Sequence, residues 1–297
     1  MNVDDYQAEA ADTMQFDKHD DKALSIVILG LNGEVGGLST EYKKKMRDGD
    51  SYVIFRQKIL EELGDIIWYL TSIATIQNIS LSEVLEYNLK KIQERWADPR
   101  AALTLGLGVE FLDDGYEETE QFPREFVAEF KEGTDKKGKI CVDVYVNGNK
   151  FGDQIRDNHY EDDYYRYHDL FHFSYVTVFG WSPVVRALMD KKRRSNEKVN
   201  EIEDGGRAIV IDEAISALVF EHARNHSFYE GVNTIDEQLL QTIKLLTRHL
   251  EINKITPRQW EQAILTGFEA WRRMRKEKVG RVICNLHEKT MFFEKLL

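Results

Sequence analysis

Residues 52–77 read YVIFRQKILEELGDIIWYLTSIATIQ. Ile59, Leu60, Leu63, Ile66, Ile67, Trp68, Leu70 and Ile73 are spread around most of a helical circumference, and no proline interrupts them. A helix this apolar is expected to be buried on most of its faces. It nevertheless carries Glu61, Glu62 and Asp65. Spacings of i,i+3 and i,i+4 put at least one pair of these acids on a shared face, and carboxylates in such surroundings are costly unless they are paired or bind a metal.

Working outward, a helix is expected from about Asp21 to Arg47, and DGDS at 48–51 reads as a turn. A shorter helix precedes it, from Val3 to about Gln15. Downstream, Ser80 reads as an N-cap with Glu83 completing a capping box. The helix that follows runs to about Trp96, where Asp98-Pro99 ends it. Four helices with short connections imply an all-α four-helix bundle over residues 1–98.

The texture changes after Pro99. Residues 99–123, with Gly106, Gly108, the acids near 113–120 and Pro123, read as a linker. A second, mostly helical domain is expected over 124–297. It opens with a β-hairpin, because 124–131 (REFVAEFK) and 139–147 (KICVDVYVN) alternate apolar and polar residues around the turn-forming GTDKKG. Helices are then expected near 160–180, 183–194, 207–226, 234–252 and 257–276. The fold class is therefore mainly α, with a small β element.

The chain has 297 residues, 42% hydrophobic and 31% charged, enough to bury a core in each of two domains. A net charge of −12 argues against general nucleic-acid binding, which needs a basic surface. It does not oppose a phosphorylated small substrate, because clustered acids recruit divalent cations that in turn bind phosphate. No apolar run is expected to span a membrane. The acidic start MNVDDYQAEAADT is not a secretory signal, and Cys141 and Cys284 stand far apart. A reducing cytoplasm is the expected compartment.

The preceding helix adds Glu34, in LNGEVGG, and Glu41 two turns on. Packed antiparallel, it would set Glu34 against Glu62 and Asp65, an oxygen-rich site suited to Mg2+ or Mn2+. The bland reading makes these acids solvated, or partners of Lys44, Lys45 and Arg47. On the fourth helix Asn88, Lys91 and Arg95 form one polar stripe, opposite Leu85, Leu89, Ile92 and Trp96. An amide and two cations suit phosphate oxygens, although a solvated face would look the same.

The run GLNGEVGGLSTEYKKKMRDG, then EELGDIIWYL, then NISLSEVLEYNLKKIQERW resembles the MazG-like nucleotide pyrophosphohydrolases over about residues 4–97. The family motif is Glu-x-x-Glu on one helix and Glu-x-x-Asp on the next. The resemblance implies an α-helical bundle completed by dimerisation, and hydrolysis of nucleoside triphosphates to monophosphate and pyrophosphate. By position, Glu34, Glu62 and Asp65 would ligate the metal. Asn88 and Lys91 would contact the phosphates, and Lys44 or Arg47 could reach the phosphate tail. Trp68 could stack on a base, with a core role the favoured reading.

One position departs from the motif. Its second Glu falls on Gly37. Glu41 lies on the Glu34 stripe but ~10.5 Å of helix further on, so it would more readily hold a second ion. Glu61 is the other candidate, as ligand or general base. An active enzyme with altered metal geometry is expected, the alternative being a nucleotide-binding regulatory protein with a degenerate site.

The segments YRYHDLFHFSYVTVFGWSPVVRALM and KKRRSNEKVNEIEDGGRAIVIDEAISALVFEHA resemble the MazG C-terminal domain. There His168 and His172 are i,i+4 with Asp169 adjacent, so they could share one metal ion, with Glu213 and Glu221 on a later helix completing the set. Asp212 and His222 are placed on other faces. The bland reading is a core histidine bonded to a carboxylate, and the sharper one a separate metal-dependent hydrolase. Lys191, Lys192, Arg193 and Arg194 read as a solvated, charge-paired loop or, less favoured, an anion contact.

Overall fold

The computed structural model describes residues 1–15, 22–96 and 111–296, which form two compact units, 1–93 and 94–297.

The first unit contains the four expected helices. Helix α1 (Val3–Asp12) starts at a capping box between Asn2 and Asp5. It is followed by α2 (Ala23–Asp48), α3 (Phe55–Ile76) and α4 (Leu81–Trp96). A 3-10 turn at Gly49–Ser51 joins α2 to α3, with Gly49 at φ 58.

Two glycines set how α2 and α3 meet. A Cβ at Gly30 would stand 2.2 Å from the Tyr69 ring, and one at Gly37 2.1 Å from Glu62 Oε2. Seven residues forward along α2 therefore correspond to seven residues back along α3, which is an antiparallel register. Moving four residues from the Gly30–Tyr69 crossing brings Glu34 opposite Asp65. Helix α1 lies on α3, where the Gln7 side chain donates to Ile79 O (3.0 Å) and accepts from Leu81 N (2.6 Å) at the start of α4.

Large apolar side chains stay exposed on three of these helices. They include Leu29 and Met46 on α2, Leu60 and Leu63 on α3, and Leu85, Leu89 and Ile92 on α4. Contrary to expectation, α2 is long and apolar enough, by length and composition alone, to cross a membrane. Glu34 sits within that apolar stretch and faces Asp65 across the crossing, an unfavourable placement in hydrocarbon.

The second unit is built on a five-stranded antiparallel sheet of order β3-β2-β1-β4-β5. Its strands are β1 (Glu125–Thr134), β2 (Ile140–Val146), β3 (Asn149–Ile155), β4 (Val279–Asn285) and β5 (Thr290–Glu294). The expected hairpin is β1–β2, with Phe130 opposite Val144. Phe126, Ala128 and Phe130 alternate inward and pack on α5 (Asp169–Phe179), whose eleven residues are all buried. Around it lie α6 (Pro183–Leu188), α7 (Glu197–Ile202), α8 (Gly206–Arg224), α9 (Glu237–Thr247) and α10 (Pro257–Glu277).

Several boundaries differ from expectation. The span 160–180 becomes helical as α5 only at Asp169, and 183–194 stops at Leu188, with Asp190 at φ 55. Residues 99–110 lie outside the described residues, but 111–123 are not a linker. Phe111 and Phe122 are buried in the second unit's core, and Asp113 binds Arg124 and Arg186.

Candidate functional site

In the first unit the α2–α3 register gathers Glu34, Glu62 and Asp65. Burial first, then the Asp65 and Glu62 charges, push the Glu34 carboxyl above its ordinary value. Glu62 Oε2 is buried and has no hydrogen-bond partner among the described residues. It fills the space directly over Gly37, where the motif's second Glu would project. A side chain lost at 37 is thus matched by a carboxylate moved in from α3. Three acids meeting at one helix crossing, one with a buried oxygen that has no hydrogen-bond partner among the described residues, could hold a hard divalent cation.

Of the other expected contributors, several are paired with other side chains. Glu41 is buried and accepts from Lys44 Nζ (2.6 Å) and from the Tyr52 hydroxyl, and these two bonds hold its carboxyl below the usual range. It is paired and not part of the acid triad, which is a correction to its reading as a ligand. Arg47 makes a two-pronged pair with Asp48 (2.7 and 2.8 Å), so neither Lys44 nor Arg47 is turned to the acids. Glu61 is bonded to Lys58 (2.7 Å) and half exposed. Trp68 Nε1 donates to Thr13 Oγ1 (2.7 Å), which ties α3 to the end of α1 and supports the structural reading. Asn88 and Lys91 are exposed on α4.

Arg95 is a further correction. The last turn of α4 belongs to the second unit, where the Arg95 guanidinium is buried on Glu261 (2.7 Å), Ile235 O (3.0 Å) and Glu237 (3.2 Å). Glu261 is fully buried and also accepts from Ile235 N (2.6 Å). Glu261 also pairs with Arg258, so losing Arg95 takes away one of its two cations and not both. Arg95→Ala is therefore expected to cost the second unit about 1–3 kcal/mol in urea unfolding followed by tryptophan fluorescence. KM for nucleotide should stay within about twofold, since the discrimination a phosphate contact supplies is absent.

The basic run at 191–194 is split in the same way. Arg193 is buried on Asp204 (2.7 Å) and Glu251 (2.6 Å), while Arg194 stays exposed and pairs with Asp190. Charge pairing was the correct reading, but for Arg193 it takes place in the interior.

The second unit does bring together its expected histidine cluster. His168, Asp169 and His172 present ligand atoms within 4.8 Å of one another. Glu213, from α8, comes to 3.5 Å from His172 Nε2 and 4.0 Å from His168 Nε2. Glu221 instead faces Arg224 (3.6 Å), and His222 bonds to the Tyr229 hydroxyl (2.7 Å). The residue missed in sequence is Asp212. Fully buried, it accepts from His172 Nδ1 (2.8 Å), Ser182 Oγ (2.5 Å) and Val184 N (3.2 Å). Sequence periodicity had set it on another face of α8. The adjacent Asp-Glu pair instead straddles His172, one acid on each ring nitrogen. Burial opposes protonation of His172, and Asp212 and Glu213 outweigh it, so its affinity for a proton is raised.

Comparison with known proteins accords with this architecture. Residues 25–98 match the MazG nucleotide pyrophosphohydrolase domain, and residues 108–297 match the MazG C-terminal domain. Gene 37 protein of Mycobacterium phage L5 is 38% identical over 101 residues, covering 32% of this chain and 89% of that protein. No solved structure matches. With both domain models matched in order along its length, the chain belongs to the MazG-like nucleotide pyrophosphohydrolases and carries the MazG C-terminal domain.

Proposed function

We propose that the first unit hydrolyses nucleoside triphosphates, or closely related nucleotides, to monophosphate and pyrophosphate, with Mg2+ or Mn2+ held by Glu34, Glu62 and Asp65. One observation carries this reading. The glycine-set register brings the charges of Asp65 and Glu62 near Glu34 and leaves Glu62 Oε2 buried with no hydrogen-bond partner among the described residues. A group of acids with one carboxylate oxygen shielded from water favours a cation among them. When bound, the divalent ion supplies charge neutralisation for the phosphates and acidifies a water.

The chain's own residues then divide the work. Glu34 is fixed from α2, and Glu62 and Asp65 from α3, so the site is held on two rigid elements and not on loops. Glu61, next to Glu62, accepts the proton of the attacking water, and Lys58 orients its carboxylate (2.7 Å). Asn88 and Lys91 meet the phosphate oxygens. They lie on α4, whose apolar residues Leu85, Leu89 and Ile92 are exposed together with Leu29 and Met46 of α2. Exposed apolar faces on three helices support a bundle completed by a second copy, hence a homodimer or higher oligomer. The compartment fitting this chemistry is the cytoplasm.

The test is pyrophosphate release from a panel of nucleoside triphosphates with Mg2+ or Mn2+, with the chain's mass in solution measured by light scattering. Metal-dependent release and a mass of two or more chains are expected. Nucleotide binding without release would assign the first unit a sensing role instead.

A further inference from the structure

The reaction proposed for the first unit makes no use of the histidine cluster of the second. From that cluster we infer a separate metal centre, in which His168, Asp169, His172 and Glu213 hold one first-row transition-metal dication of the Zn2+ type.

Tautomer is the first argument. A neutral imidazole that donates from one nitrogen has a lone pair on the other. His172 Nδ1 is committed to Asp212 at 2.8 Å, and His168 Nδ1 to the carbonyl of Tyr165 at 3.0 Å. In the neutral form both rings turn an Nε2 lone pair toward the same place, where a dication would take the position a proton otherwise holds between His172 and Glu213. His172 is fully buried, yet its Nε2 makes no hydrogen bond within normal geometry among the described residues and has only Glu213 Oε2 at 3.5 Å. An unpartnered nitrogen at zero exposure is costly unless something binds it.

Distance is the second. Two donors each about 2.1 Å from one ion can stand no more than about 4.2 Å apart. His168 Nε2 lies 3.5 Å from Asp169 Oδ1 and 4.0 Å from Glu213 Oε2, and His172 Nε2 lies 3.5 Å from Glu213 Oε2. All three separations fit a common ion with little movement. Glu213 is 45% exposed, so the cluster is open to solvent on the α8 side.

The support behind the donors is the third. Asp212 holds His172 and is itself gripped by Ser182 Oγ and Val184 N at the start of α6. Carboxylate behind imidazole is the arrangement that orients a metal-binding histidine and raises its basicity. Two imidazoles among the donors select transition ions over Mg2+, whereas the first unit's site offers only oxygens. The two units would thus bind different metals.

The test uses the full chain carrying Glu62→Gln, which disables the first site's metal chemistry and leaves the second intact. The protein is stripped with a chelator and titrated with Zn2+ alone, bound metal is counted by mass spectrometry, and Co2+ substitution is followed by visible absorption. One equivalent is expected in this background, with a Co2+ spectrum showing nitrogen ligation. His168→Ala, added to it, should remove that equivalent while circular dichroism stays unchanged. Asp212→Asn should weaken affinity about 10–100-fold. Because His172→Ala empties a fully buried position, Glu213→Gln at the solvent edge provides the second variant, with the same loss expected. Absence of any bound equivalent, or Zn2+ affinity unchanged by both His168→Ala and Glu213→Gln, would overturn the inference.

Discussion

Glu62→Gln is expected to lower kcat by about a hundredfold or more, roughly 2.7 kcal/mol or more of barrier, while the free protein melts no lower than the wild type. The two halves of this expectation come from one geometry. Glu62 Oε2 is buried, unpartnered and close enough to Glu34 to help raise its proton affinity. That oxygen has no hydrogen bond to lose among the described residues, so neutralising it should not weaken the fold. With a cation it is one of three negative ligands, and an amide oxygen replaces a full charge poorly. Asp65→Asn should behave alike, because Asp65 stands opposite Glu34 in the same crossing. A merely structural acid would behave in the opposite way, with stability falling and turnover staying near wild type. Steady-state pyrophosphate release alongside thermal melts in chelator separates the two cases.

Gly37→Ala carries the second large effect. Replacing an interior helical glycine by alanine ordinarily stabilises by about 1 kcal/mol. Here the new Cβ would stand 2.1 Å from Glu62 Oε2. The obstructing atom is the end of a flexible side chain, so it can swing aside and the fold can keep the gain in helix propensity. The cost falls on the site, since the displaced carboxylate no longer meets Glu34 and Asp65. Turnover is therefore expected to drop at least about tenfold, roughly 1.4 kcal/mol, with a melting temperature equal to or above wild type. Unchanged turnover in Gly37→Ala would mean that the position of Glu62 over Gly37 has no bearing on catalysis.

The same position shows what the sequence could and could not convey. The helical spacing of Glu34, Glu62 and Asp65 was legible because helix period and an acidic interruption of an apolar run are local signals. That Gly37 marks a close approach, and not a vacancy, depends on what α3 places above it, which is a matter of register between two helices. The long helices were legible for the same reason of period. Strand β3 was not found, although Asn147-Gly148, with φ 48 and 81, is the signature of a tight hairpin turn. Strands β4 and β5 follow α10 directly, because Lys278 turns the chain at φ 66. The pairing of β4 with β1, far earlier in the chain, leaves no local trace, and β5 is then added at the edge against β4.

Charged residues were the hardest to assign. Arg95 shares a helical stripe with Asn88 and Lys91, yet it is buried on Glu261 from α10. Arg193 sits in a run that reads as surface, yet Asp204 and Glu251 close over it. In both cases the partner lies on another element, and no spacing rule reports it. Asp212 is the complementary case, a residue dismissed by face that the structure makes the anchor of His172.

Acids from α2 and α3 are proposed to bind one divalent ion. The most direct measurement is anomalous scattering from crystals of the full chain soaked in Mn2+ with a non-hydrolysable triphosphate. A manganese peak is predicted among the carboxylates of Glu34, Glu62 and Asp65, in contact with the phosphates. Those three side chains diverging, with no peak between them while nucleotide is bound, would contradict it.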